Sequence, residues 1–144
     1  MPVLDSQDTV DSHVADTLVA GAGLCDEEAV RFTVSNSRSC VEWLVEQGVD
    51  FDLLPDESRE FHLAMEGGHS HRRIIHAADR TGQAISEVLT ARVLEADNIE
   101  VFPHRVAVDL VMHEGRCEGA YIFDRRSDRV ELFQAKALVL ATGG

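Results

Sequence analysis

Apolar residues recur at helical spacing in two stretches near the start of the chain. Ser12 is placed to cap a helix through 13–24 (HVADTLVAGAGL), with Val14, Leu18 and Val19 on one face and Gly21 and Gly23 near its end. Asp26 is placed to cap a second helix, EEAVRFTVSNSRSCVEWLVEQG, whose first turn carries Glu27 and Glu28 where the helix dipole favours acids. Val30, Val34, Ser37, Val41, Leu44 and Val45 form its inner face, and Gly48 closes it. From Asp50 to Thr81 the periodicity fades, and aperiodic connections of that length inside a domain tend to be functional. It returns in TGQAISEVLTARVLEA, a third helix with Ile85, Val88, Leu89 and Val93 on its buried side.

A strand is expected in NIEVFPH. The chain from Val106 onward then reads as several strands with turns at Glu114–Arg116 and Arg125–Asp128. The continuous apolar run Ala137–Ala141, followed by Thr142, Gly143 and Gly144, predicts a strand buried on both faces of a parallel sheet. Such a strand is expected to lead into more chain, so the 144 residues read as the central segment of a larger α/β domain.

Composition narrows the function classes. With 44% hydrophobic residues the chain can build one compact core, and no apolar run reaches membrane-spanning length. The net charge of −13, with Lys136 the only lysine, repels phosphate backbones and argues against nucleic acid as a partner. Cys25, Cys40 and Cys117 are odd in number and widely spaced, so reduced thiols in a cytoplasmic setting are expected.

The aperiodic segment holds the candidate chemistry. Residues 65–82, MEGGHSHRRIIHAADRTG, bring together His69, His71 and His76 with Arg72, Arg73 and Arg80. Flanking arginines would repel a dication, and no HExxH spacing is present, so a metal site is disfavoured. Ser70 lies between two histidines but in no GxSxG elbow. The arginine forks suit a carboxylate or phosphate, and Gly67-Gly68 permits close backbone approach to a ligand. Pairing of each arginine with an acid of this acidic chain is the competing reading. Glu66, just before the diglycine, could accept hydrogen bonds from an ammonium group. At the other end, ATGG fits a turn at the carboxyl end of a parallel strand, where open α/β folds bind nucleotides. No GxGxxG follows a strand, and Gly21-Ala22-Gly23 follows a helical pattern instead.

Several of these motifs occur together and in order: DSHVADTLVAGAGLCDEEAV, SRSCVEWLVEQGVDFD, EGGHSHRRIIHAADRTG, NIEV leading into VAVDLV, and ALVLATGG. Over Asp8–Gly144 the chain thereby resembles the FAD-dependent oxidoreductase family of the L-aspartate oxidases and the flavoprotein subunits of succinate dehydrogenase and fumarate reductase. It is most similar to the aspartate oxidase branch, since the other relatives generally lack an acid at the position of Glu66. The resemblance implies an α/β, Rossmann-like FAD-binding domain, here incomplete, with a mobile substrate-facing loop and a β-meander insertion. It implies oxidation of L-aspartate to iminoaspartate with non-covalently held FAD, with oxygen or fumarate as electron acceptor. It also implies a functional link to quinolinate synthase in NAD biosynthesis. Glu66 would orient the substrate, with Gly67, Gly68, His69 and Ser70 beside it. Val106 and Ala107 would meet the adenine side of FAD, and Thr142 and Gly143 its ribose and pyrophosphate region. A succinate dehydrogenase or fumarate reductase flavoprotein subunit, or a non-catalytic remnant of the fold, are the alternatives.

The family's dinucleotide fingerprint, capping domain and C-terminal helical domain do not occur within residues 1–144. The isolated chain is therefore expected neither to turn over nor to hold FAD tightly. A flavin titration read by fluorescence should show no submicromolar dissociation constant.

Overall fold

A computed structural model describes Leu4 and residues 7–142. Instead of the single core expected from composition, the chain forms two compact units, one ending at Asp97 and the other beginning at Asn98.

The first unit is mainly helical. Helix α1 spans Val10–Ala20 and α2 spans Glu27–Gln47. Two short strands, β1 (Leu63–Ala64) and β2 (Ile74–Ile75), pair antiparallel, and α3 spans Thr81–Glu95. The α1 cap is Thr9, one turn before the expected Ser12, and its Oγ1 accepts from the Ser12 amide at 3.1 Å. Asp26 caps α2 as expected, accepting from the Ala29 amide at 2.8 Å. Gly48 ends α2 in the left-handed region, at φ 108°, where a side chain would be strained. Arg92 of α3 reinforces that terminus by donating to the Gln47 carbonyl at 2.9 Å.

Val14, Val34, Val49 and Phe51 are the buried hydrophobic residues of this unit. Phe51 meets Phe61 edge to face, with centroids 6.2 Å apart. The expected inner faces are only partly inside: Val19 and Val45 are exposed. No residue of α3 is buried.

The second unit is an antiparallel meander: β3 (Arg105–His113), β4 (Arg116–Asp124) and β5 (Arg129–Gln134), in the order β3-β4-β5. Both expected turns form. At the first, Glu114 and Gly115 both have positive φ, the signature of a two-residue type I′ hairpin. At the second, the nearly buried Asp124 accepts from the Arg126 amide and the Ser127 hydroxyl, each at 2.8 Å. Arg105 bridges Asp124 at 2.9 Å and Glu131 at 2.8 Å, tying all three strands together. A Cβ at Gly119 would run into the Phe133 carbonyl, so glycine is what lets β5 approach β4 there.

Two expected strands are absent. NIEVFPH is irregular: Pro103 has no N–H to give a ladder, and His104 turns the chain at φ 62°. Phe102 instead packs edge to face on Phe133, with centroids 5.1 Å apart. Ala137–Ala141 forms no strand either, and Val139 is 87% exposed. A strand buried on both faces needs hydrogen-bonding neighbours, and every strand pair among the described residues is antiparallel and lies elsewhere. The α/β class holds, without the parallel strand.

Candidate functional site

The aperiodic segment owes its shape to one arginine. Arg73 donates from Nε and Nη2 to the two carboxylate oxygens of Asp8, at 2.5 and 2.9 Å, and from Nη1 to Asp16 at 2.5 Å. Its Nη2 also reaches the Ser12 hydroxyl at 3.0 Å. The Asp8 side chain is fully buried and that of Arg73 is 4% exposed, so this pair is interior, with the partly exposed Asp16 at its edge. A bidentate guanidinium is what makes a buried carboxylate tolerable there. The Arg73 hydrogen bonds hold the Asp8 carboxyl below the usual carboxylate range, against the opposing effect of burial. Asp16 is lowered too, first by the Ser70 hydroxyl and then by Arg73.

Ser70 is drawn into the same network. Its amide and its hydroxyl both donate to Asp16 at 2.7 Å, which fastens the loop to α1. Just upstream, the His69 amide donates to the Glu66 carbonyl at 3.2 Å, and Gly68 has φ 89°. Positive φ at the third position is the type II turn, for which glycine is suited. A Cβ at Gly68 would sit in ordinary contact, 3.6 Å, with that of Ala20, so backbone conformation and not space selects glycine. The Glu66 side chain is exposed and makes no hydrogen bond or ion pair among the described residues. The His69 ring stacks edge on to His13, and its buried Nδ1 has no hydrogen-bond partner. Burial, together with the Arg73 charge, lowers the His13 pKa.

The three histidines of the motif diverge. His69 faces His13, and His71 Nε2 lies 4.0 Å from Asp8. His76 uses both ring nitrogens: Nδ1 stands 3.0 Å from Asp52, and Nε2 shares a hydrogen bond with His62 Nδ1 at 2.7 Å. Asp52 also accepts from the Ala78 amide at 2.9 Å. The arginines separate as well. Arg73 is consumed by the triad, so the pairing reading wins for it, whereas Arg72 reaches only the Leu63 carbonyl, at 3.4 Å.

Sequence reasoning missed Asp8, Asp16, Asp52 and His62. Their partners lie 65, 57, 24 and 14 residues away, and no local period connects them. The one available signal was the surplus of acids, which favoured an acid partner for any single arginine without saying which.

In the second unit, Val106 and Ala107 pair with Phe123 and Ile122. Because β3 is an edge strand, one of any two successive residues turns its N–H and C=O away from β4. A register shift between Ala107 and Asp109 follows directly on this pair. Thr142 is exposed, and Gly143 lies outside the described residues.

Replacing Arg73 by Ala would leave Asp8 charged, buried and unpaired. We expect a loss of about 3–5 kcal/mol of stability by urea unfolding, and a smaller loss for Arg73→Lys, which restores charge without the fork. Acid stability should fall in two stages. His13 binds its proton less readily when folded, so its contribution is complete above the ordinary histidine value of about 6.5 and declines below it. Asp8 and Asp16 are lowered on folding, so their contribution is complete above about pH 4 and is lost as pH drops further. Thermal unfolding across pH 2–8 should show both steps, and the lower one should shrink in Asp16→Asn.

The whole chain, residues 1–144, matches the model of the FAD binding domain family. An L-aspartate oxidase of Pseudomonas aeruginosa is 54% identical over 99% of this chain, and one of Yersinia pestis is 50% identical over the same share. A chloroplastic L-aspartate oxidase of Arabidopsis thaliana is 42% identical over 99%. The chain spans 28% of the length of each bacterial protein and 22% of the plant one. Among solved structures, a mutant FrdA of E. coli quinol fumarate reductase superposes with a TM-score of 0.91 at 25% identity, covering 99% of this chain and 24% of that one. Sdh1 of Mycobacterium smegmatis in complex with UQ1 gives 0.87 at 28%, covering 100% and 26%. Matched along its full length by sequence and fold alike, this chain belongs to the FAD binding domain family.

Proposed function

We propose that the chain is the central part of the FAD-binding domain of an L-aspartate oxidase, which converts L-aspartate to iminoaspartate. The observation that carries this reading is the contrast in identity: 42–54% to named L-aspartate oxidases against 25–28% to the fumarate reductase and Sdh1 chains. The uncommitted carboxylate of Glu66 supports it. In an acidic chain that ties Asp8 and Asp16 to arginine, an acid left unpaired beside a rigid glycine turn is available for a substrate's ammonium.

FAD, held non-covalently, would supply the hydride acceptor for the substrate Cα. The chain's own contribution is positional. Glu66 would bind and orient the ammonium group. Gly67 and Gly68 would shape the turn that presents it, and His69 and Ser70 would anchor the turn against α1. The outward backbone of Val106 or Ala107 would meet the adenine, and Thr142 with Gly143 the ribose and pyrophosphate. Oxygen or fumarate would be the electron acceptor, and the product would pass to quinolinate synthase in a cytoplasmic setting. No helix among the described residues is long and apolar enough to cross a membrane.

Glu66→Gln keeps the shape and removes the charge. In the FAD-loaded holoenzyme it should weaken L-aspartate binding by about 10–100-fold, the worth of one charge-assisted hydrogen bond. Succinate, which has no ammonium, should bind almost unchanged. Equal losses for both ligands would remove the assigned role.

A further inference from the structure

Arg38 of helix α2, residues 54–62 of the loop after it, Leu63 at the start of β1 and Arg72 line a cavity whose wall does not include Glu66. Its volume is about 650 Å³, within the range of small-molecule sites. Arg38, Arg59, Arg72 and His62 line it, and Glu60 is the one acid in its wall. In a chain with 26 acids and 13 bases that inversion of charge is unexpected.

Like charges gathered around a cleft repel one another, so the arrangement persists at a cost unless something negative offsets it. Internal pairing offsets only part. Arg38 donates to Glu42, one turn along α2, at 2.8 Å. Arg59 makes no hydrogen bond or ion pair among the described residues, and Arg72 touches only the Leu63 carbonyl at 3.4 Å. The rest of the wall is largely apolar, including Leu54, Phe61 and Leu63. Such walls strengthen the field of the guanidinium groups across the cleft.

His62 is fixed in the wall: its Nδ1 meets His76 Nε2 at 2.7 Å, and Asp52 orients His76 in turn. The two guanidinium forks of Arg59 and Arg72, neither paired with an acid, make the donor set for an oxyanion.

We propose that this cavity binds a small dianion, a dicarboxylate or a phosphate, through Arg59 and Arg72. The proposal is independent of the role given to Glu66 and does not require FAD. It can be tested by calorimetric titration of the 144-residue chain with sodium succinate and with inorganic phosphate, at constant ionic strength.

Saturable binding of at least one anion is expected, with a dissociation constant in the low millimolar range or tighter. The tighter of the two identifies the class of ligand. The double variant Arg59→Gln/Arg72→Gln should weaken it at least tenfold. The double variant Arg125→Gln/Arg129→Gln, a charge-matched control in the second unit, should leave it unchanged, with all variants keeping the parental circular dichroism. Arg59 and Arg72 are exposed, so their neutralisation should spare the fold. Absence of saturable binding for both anions, or binding that the double variant leaves intact, would overturn the proposal.

Discussion

The buried pairing of Arg73 with Asp8 and Asp16 is the constraint on which the first unit's loop depends. A guanidinium 4% exposed and a carboxylate with no exposure cannot exist apart inside a protein. Once they meet, the segment around Arg73 must lie against the start of α1. Ser70 and Ser12 then complete the network, and the turn from Glu66 to His69 is held over the end of that helix. A stretch with almost no regular secondary structure thus becomes well defined through side chains, where a helix or sheet would have used its backbone.

The same network divides the motif's charges by task. Arg73 is spent on structure, and Ser70, which looked like a substrate-facing hydroxyl, is spent on fastening. Glu66 and Arg72 of the motif, with Arg59 upstream of it, keep side chains without an acid or base partner among the described residues. A carboxylate and a pair of guanidinium groups attract opposite ends of small metabolites, and the loop presents them at separate places. The Asp52–His76–His62 series works similarly: its acid orients one ring, and that ring orients the next. In each case a buried or paired group fixes the geometry and an exposed one is left for chemistry.

The second unit is governed by backbone pairing. Three strands, two tight turns and the Arg105 bridge make a meander whose first strand keeps a free edge. Exposed edges invite further hydrogen bonding.

The three helices, the Asp26 and Gly48 caps and both meander turns were all determined by the sequence itself. The reason is that each rests on interactions within a few residues: a 3.6-residue period, a cap, or a turn requiring positive φ. Tertiary structure alone decided which arginine would be buried, which histidines would meet, and that Ala137–Ala141 would form no strand. Those outcomes depend on partners 14 to 65 residues distant, or on strand neighbours outside the segment. An ion pair or a β-ladder is chosen by what folding brings alongside, and a local pattern carries no record of it.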